Sequence, residues 1–559
     1  EEFLEITPNG QLDQSVLATY EGVDALMIGA YSLLDGITNG FGWDAATSGW
    51  VYGSIRGLEA NKGTDSGDQP DINPLQTYSE TATSPYLNNK WRAVYEGISR
   101  CNSTIQTAAM ALDAGTIDQA EHDSFIAQAR AVRGWYHLEA WRIWADMSTN
   151  MYVPYVDENT DQATLVNDVD IRQNIIDDLT AGLVLPEDME QVGRFNRTVC
   201  EVFLAKAYMQ MYRDYTSALP LLSGALTGSN PAGQKAGLLD RYGDIFDIEY
   251  RNDIESIYTV QYSVNDGSGG RNGGWGEVLN FPYKSGASPG GCCGFFNPTQ
   301  DFVNSHRTDA SGLPFLDNTY NDEKVFNDQG IPPGDPFVEY PGQLDPRVDW
   351  SVGRRGIPYW DWGDHTGQDW IRDQSYSGPF SPKKQVYKQE QEGSYTEVGN
   401  WTSGWTANGY RMIRYADVLL LKAECEAMLG QDDLGHGEVN LIRARAANPD
   451  GFVKEADGTT NAANYVIAEY PTAPASGAEA MTRIKFERKL ELGQEGHRYY
   501  DLQRWGDVQT ELTRILAYEK TMEWGPALYG SATIGSEDVN FPVPQRQIDL
   551  SNGNIKQNR

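Results

Sequence analysis

The sequence predicts a mostly α-helical fold, a scaffold of helix–turn–helix pairs that carries one loop-rich elaboration with little strand. Three observations predict it. Apolar residues recur at spacings of three and four through residues 16–34, 90–112, 117–144, 170–183 and 198–212, and again beyond 410. Residues 265–410 hold 23 Gly and 12 Pro, a density that breaks helices and favours loops. The same block is full of Trp, Tyr and Phe, so it is an ordered part of the fold and not a linker. The chain has 559 residues, enough to bury a large core without metal or disulfide staples.

Each helical segment has its own apolar stripe. Residues 16–34 carry Val16, Tyr20, Val23, Met27 and Tyr31, and residues 90–112 carry Trp91, Val94, Ile98, Ile105 and Met110. In 117–144 the stripe is Phe125, Ala129, Val132, Tyr136, Ala140 and Ile143. In 198–212 it is Val199, Phe203, Ala207 and Met211. Helix is expected again over 410–429, 437–447, 484–494 and 498–505, with Leu429-Gly430 as a stop. The Asn540-Phe-Pro-Val-Pro-Gln545 tail is expected to be extended, because two prolines oppose helix. Paired helices with small residues packed on aromatics resemble tetratricopeptide units of degenerate period. The expected division is one fold over 1–559, with a helical scaffold over 15–215 and 410–510 and the elaboration over 265–410.

Charge excludes several partners. Lys and Arg number 44 and Asp and Glu 79, a net charge of −35. Repulsion from phosphates argues against nucleic acid, and the same repulsion disfavours polyanionic polymers. The longest Val/Ile/Leu run is residues 418–421, far short of a membrane span. Cys101, Cys200 and Cys425 sit in helical segments as small apolar residues. Cys292 and Cys293 are adjacent in a Gly-rich loop, as a vicinal disulfide or as two thiols. No CxxC pair is present, which argues against zinc.

Catalytic motifs are missing or defective. The six histidines form no HExxH, and no Gly-Lys dipeptide exists for a phosphate loop. Gly286-Ala-Ser288-Pro-Gly290 has the spacing of a nucleophile elbow. Pro289 cannot donate the N–H that an oxyanion hole needs there. A glycosidase needs only two well-spaced carboxylates, so a hydrolase stays open as an alternative.

Tryptophan is the positive signal. Trp91, Trp135, Trp141, Trp144 and Trp505 lie in helical segments as core residues. Ten others lie in segments rich in Gly, Pro, Asp or Thr: Trp43, Trp50, Trp275, Trp350, Trp360, Trp362, Trp370, Trp401, Trp405 and Trp524. Loops run over the surface, and large exposed aromatics there mark binding. A flat indole face suits the C–H face of a pyranose. Trp275, Trp360 and Trp362 are the expected stacking platforms, with Trp43 and Trp50 next. Asn61, Asp65 and Asp68, in a polar loop, are candidates to bond sugar hydroxyls. That loop could also offer oxygens to a structural Ca²⁺, although it lacks EF-hand spacing. No other cofactor is expected.

Several segments in order resemble the SusD/RagB family. They are Phe3-Leu-Glu-Ile-Thr-Pro8, Trp91-Arg-Ala-Val-Tyr95 with Ile98 and Asn102, and Ala129-Arg-Ala-Val-Arg-Gly-Trp-Tyr136 through Trp144-Ala-Asp146. Gly193-Arg-Phe-Asn-Arg197 with Leu204-Ala-Lys-Ala-Tyr208 follows. The C-terminal half adds Arg414-Tyr-Ala-Asp-Val-Leu-Leu-Leu-Lys-Ala-Glu424, Phe486-Glu-Arg-Lys-Leu-Glu-Leu492, Arg498-Tyr-Tyr-Asp-Leu-Gln-Arg-Trp505 and Phe541-Pro-Val-Pro544. Ala145 stands where the family has Gly.

The resemblance implies a SusD-like fold with four tetratricopeptide-like helix pairs. It implies an outer-membrane, cell-surface lipoprotein of Bacteroidetes, anchored through an N-terminal lipid and acting as a lid on a SusC-like TonB-dependent transporter. It implies capture of a nutrient, usually a glycan, without catalysis. Acidity favours a neutral glycan, and a β-1,3-glucan such as laminarin is the expected ligand, with α-glucans, mannans and xylans as alternatives. A binder of peptide or another non-glycan nutrient is the further alternative.

Overall fold

The computed structural model describes residues 14–36, 42–284, 288–399, 401–431 and 433–559. The segment Phe3 to Pro8 and the first half of the Gly286–Gly290 motif lie outside these residues.

Helices α1 (Tyr20–Ser32), α2 (Pro85–Asp113), α3 (Gln119–Trp144), α4 (Arg172–Ala181), α5 (Arg197–Tyr212) and α6 (Tyr215–Ala225) form the first part of the scaffold. Their starts are chemically marked. Pro85 opens α2, where its missing N–H costs nothing. Asp118 and Glu121 form a reciprocal capping box at α3, with both hydrogen bonds 2.9 Å long. Asn196 accepts from the Val199 N–H at 2.9 Å to cap α5. Consecutive helices pack on one another from α1 through α6.

The scaffold resumes with α7 (Tyr415–Leu429), α8 (His436–Ala446), α9 (Gly477–Leu492), α10 (Arg498–Trp505) and α11 (Val508–Glu519). Gly430 and Gly506 end α7 and α10 in the left-handed conformation that glycine adopts without a Cβ clash. Helix α7 packs against α6, so the two halves close across the intervening elaboration.

Strand is sparse. β1 (Ser256–Thr259) pairs antiparallel with β6 (Arg411–Arg414), β2 (Val352–Gly353) with β3 (Ser381–Pro382), and β4 (Thr396–Glu397) with β5 (Trp405–Thr406). The mostly α, loop-rich, strand-poor architecture is therefore as predicted.

Some boundaries differ. Residues 411–414, expected as helix, form β6, because all four are buried beside β1 and Arg414 enters α7 in an extended conformation. Helix α9 starts seven residues before the expected 484, capped by the Ser476 hydroxyl. Helices α6 and α11 were not expected. Pro220 inside α6 masks its pattern. The apolar stripe Val508, Leu512, Ile515 and Leu516 of α11 begins just past the Gly506 stop.

A buried ion network joins the elaboration to the scaffold. Arg347 bonds Glu487 at 2.6 Å and Glu491 at 3.0 Å. Arg414 bonds Glu491 at 2.6 Å and Glu495 at 2.7 Å. Arg445 reaches Glu255 at 3.0 Å and also pairs with Glu491. Three guanidiniums on Glu491 outweigh its desolvation and hold its carboxyl far below the usual range. Removing one member of such a network leaves a buried charge unpaired and costs about 3–5 kcal/mol.

Candidate ligand-binding surface

The loop tryptophans assemble into two groups. The first joins three distant segments. Trp43 lies in a short 3₁₀ turn, Trp275 follows two glycines in the Gly-rich loop, and Trp401 and Trp405 come from the β4–β5 hairpin. The Trp275 ring stands between Trp43, at 5.8 Å and 27°, and Trp405, at 5.2 Å and 35°. Trp401 meets Trp43 edge-on at 6.4 Å and 89°, and Trp405 at 5.8 Å and 83°. Three near-parallel indoles thus back a fourth that crosses them.

Exposure separates the four. Trp43 and Trp405 are buried and Trp275 is half-buried, whereas Trp401 keeps 41% of its surface in solvent. Such an exposed indole on an aromatic support has the geometry to stack on a flat ligand without first being ordered.

The support is specific. Trp275 Nε1 donates to the Gly270 carbonyl at 2.8 Å. Gly270 has φ +82°, and a Cβ there would lie 2.4 Å from the Trp405 ring, so only glycine fits. The Thr402 hydroxyl donates to Gly290 O at 2.9 Å, and the Ser403 and Tyr387 hydroxyls share a hydrogen bond of 2.9 Å. Gly290 N donates in turn to Tyr387 Oη at 3.0 Å. The Gly290 loop continues into Cys292 and Cys293, which are joined as a vicinal disulfide. Trp50 lies beneath, its Nε1 donating to Trp43 O at 3.1 Å and its ring edge-on to Phe295 and Phe296.

Glu277 is buried just behind Trp275. Its Oε2 lies 3.5 Å from Tyr262 Oη, and the Ser48 hydroxyl is a second neighbour. Desolvation pushes its carboxyl up to about 7.

The second group is packed inward. Trp350 and Trp360 meet edge-on at 5.1 Å, and Trp370 meets Tyr359 at 5.5 Å and His365 at 5.0 Å. Trp362 lies 5.9 Å from the Tyr387 ring and donates from Nε1 to Tyr387 O at 2.9 Å. Trp360 and Trp362, expected as platforms, are therefore partly buried against a small aromatic core with Phe281 and Val386. Trp524 is fully buried.

The polar loop is committed internally. Asn61 is 1% exposed; its amide donates to Ser377 O at 3.0 Å and accepts from Gly63 N at 2.8 Å. Arg372 pairs with Asp65 at 2.8 Å and Asp68 at 2.5 Å. Lys62 Nζ donates to the Asp65 and Asp68 carbonyls at 2.8 and 2.7 Å. These two cations meet the charge that a calcium ion would neutralise, so the loop does not fit Ca²⁺. Elsewhere Glu426, Asp433 and Glu438 converge, but Lys422 already pairs with Glu426 and with Glu438.

The structure thus brings together Trp43 and Trp275 over Trp50, and sets Trp360 and Trp362 apart from them. Sequence reasoning did not choose Trp401. The available signal was its place in Gly399-Asn-Trp-Thr-Ser-Gly404, a short polar stretch with glycine at each end.

His137 and His365 are spent on structure. His137 bonds Arg133 O and the Val156 N–H, at 3.1 Å each, and burial lowers it to about 4. His365 bonds Ser381 and Gly367 at 2.9 and 3.0 Å, and is lowered to about 3. Among the described residues no helix is long and apolar enough to cross a membrane.

Comparison with known proteins agrees with this architecture. No curated protein matches the sequence. Similar solved structures include a laminarin-binding SusD-like protein, with 18% identity, 97% of this chain and 99% of that one covered, and a TM-score of 0.66. Surface glycan-binding protein A from Bacteroides uniformis gives 19%, 97%, 99% and 0.67. Surface glycan-binding protein A from Bacteroides thetaiotaomicron, in complex with laminarihexaose, gives 19%, 97%, 99% and 0.63. At these identities the likeness is one of fold. Residues 2–209 match a family described as starch-binding and associating with the outer membrane. Residues 254–559, more than half of the chain, match the SusD family, and the chain belongs to that family.

Proposed function

We propose that this protein captures a neutral glycan at the cell surface, without cleaving it, and delivers it to a SusC-like TonB-dependent transporter. The observation that carries the reading is Trp401, exposed across the stacked column of Trp43, Trp275 and Trp405. Dispersion and hydrophobic contact hold the C–H face of a pyranose on that indole. The column behind it keeps the ring from turning, so little entropy is lost on binding. Net charge −35 favours a ligand without acidic groups. Laminarin-type β-1,3-glucan is the leading candidate, supported by the ligands named for two proteins of the same fold. Family membership supports the outer-membrane lipoprotein setting and the absence of catalysis.

Native electrophoresis through gels containing single polysaccharides tests this directly. Retardation by laminarin, with recovery of uncut polymer, is the expected result. No retardation by any neutral glycan would overturn the reading in favour of a non-glycan nutrient. Release of shorter products would instead identify a hydrolase.

A further inference from the structure

The cysteines divide into one bonded pair and three isolated thiols. Cys101, Cys200 and Cys425 are buried. Cys292 is half-buried and Cys293 is 5% exposed, so Cys292 is the outward member of the Cys292–Cys293 disulfide. A thiol reagent therefore meets one reducible bond and no competing surface thiol.

The disulfide lies in the strap that holds the platform's hairpin. Ser288 moors the start of the strap, its hydroxyl donating to Pro282 O at 3.1 Å and to Lys284 O at 2.9 Å. The end is moored by the Cys293 N–H to Leu279 O at 3.3 Å and the Gly294 N–H to Phe281 O at 2.8 Å. Between the moorings, Gly290 O accepts the Thr402 hydroxyl at 2.9 Å and the Ser403 N–H at 3.3 Å. Those two donors directly follow Trp401 in the chain.

The span between the moorings is soft apart from the disulfide. Gly290 and Gly291 have φ of +69° and +66°, in a region where glycine moves without a Cβ clash. Bonding two adjacent cysteines closes a small ring through their shared peptide unit and removes backbone freedom from both residues. Reduction returns that freedom beside Gly291, and the acceptor that holds Thr402 and Ser403 is then no longer fixed.

We propose that the Cys292–Cys293 disulfide is a redox-responsive clamp on the hairpin that carries Trp401, closed when oxidised and released by a dithiol, with ligand affinity following its state. One thiolate of the dithiol attacks Cys292 Sγ and forms a mixed disulfide. The Cys292–Cys293 bond breaks, and Cys293 leaves as a thiolate that takes up a proton. The second thiolate of the reagent then displaces Cys292, which takes up the second proton, and the reagent leaves as its cyclic disulfide. Two electrons pass to the protein, and one dithiol is oxidised for each bond reduced.

Hydrogen exchange of the whole protein, with and without dithiothreitol, tests this. The intact mass should rise by two hydrogens on reduction. Exchange across residues 401–404 should then speed up by about tenfold, while α3 and α9 exchange as before. Reoxidation should restore slow exchange. The double variant Cys292→Ser, Cys293→Ser should exchange fast at 401–404 and ignore dithiothreitol. Titration with laminarihexaose is the second arm and rests on the proposed glycan capture; reduction should weaken binding by about threefold. Equal exchange at 401–404 in the two states, acceleration spread over the whole chain, two free thiols in protein purified without reductant, or equal measurable affinity in the two states would overturn the proposal. Absence of glycan binding in both states would count against glycan capture alone, and the exchange arm would still decide the clamp.

Discussion

The two tryptophan groups are alike in composition and opposite in exposure. Both come from loops, and both stack indoles against aromatic neighbours. Trp370 turns its ring onto Tyr359 and His365, Trp362 onto Tyr387, and Trp350 and Trp360 onto each other, plugging the elaboration onto its own small core. In the other group three rings are consumed in supporting one another, and Trp401 stays 41% exposed. Tyr387 touches both, receiving the Trp362 indole N–H on its carbonyl and bonding Ser403 beside Trp401 through its hydroxyl. The difference teaches that an aromatic-rich loop offers an open ring face only where its rings are stacked from behind and left uncovered in front.

The comparison can be broken at several points, and the largest effect is on stability. Trp370→Ala should cost about 3–5 kcal/mol in a chemical unfolding experiment, because the ring is 3% exposed and lies against Tyr359 and His365. The folded fraction of this variant should keep its glycan affinity. Trp401→Ala should do the reverse. Affinity should fall about tenfold or more, equivalent to about 1.4 kcal/mol, while the circular-dichroism melt barely moves. If Trp370→Ala lost affinity and Trp401→Ala lost stability, the roles of the two groups would be exchanged.

A smaller effect should follow in the column. Trp275→Phe keeps an aromatic ring between Trp43 and Trp405 but loses the hydrogen bond to Gly270 O. We expect affinity to drop about threefold, roughly half of the Trp401→Ala effect in free energy, as read by calorimetric titration. An affinity equal to wild type would mean that the column does not hold the platform.

The remaining effect is a pH dependence. Burial raises the Glu277 carboxyl from the ordinary glutamate range to about 7. Between those two values the folded chain holds a proton that the unfolded chain has lost. Its stabilising contribution is therefore complete below the unfolded value and fades as pH rises towards 7. Glu277→Gln should raise Tm relative to wild type at pH 8, by about 2–4 °C, and the gap should close towards pH 4.5. A gap independent of pH would show that Glu277 does not titrate in this range.

The scaffold was largely legible because its signal is local. The stripe Phe125, Ala129, Val132, Tyr136, Ala140 and Ile143 fixes one face of α3 without reference to any other part of the chain. Where a long-range pairing overrides the pattern, as β1 does at residues 411–414, the helical reading fails. The surface is harder for the same reason. Loop tryptophan reads in the sequence as a candidate binding signal, and Trp43 and Trp275 are among the residues it selects. What separates Trp401 from Trp362 is contact between segments more than a hundred residues apart, Trp43 with Trp275 and Trp275 with Trp405. Nothing in the neighbouring sequence encodes that Trp362 finds a carbonyl at Tyr387. Asn61, Asp65 and Asp68 show the same limit, because Arg372, which pins the two carboxylates, lies some three hundred positions away.

One exposed indole, braced by three others, is proposed to hold the glycan. Calorimetric titration of the wild-type protein and Trp401→Ala with laminarihexaose, at matched protein concentration, tests this. Saturable heat is expected for the wild type and at least about a tenfold weaker association for the variant, with superimposable thermal melts. Equal affinity of the two proteins for the hexasaccharide would contradict it.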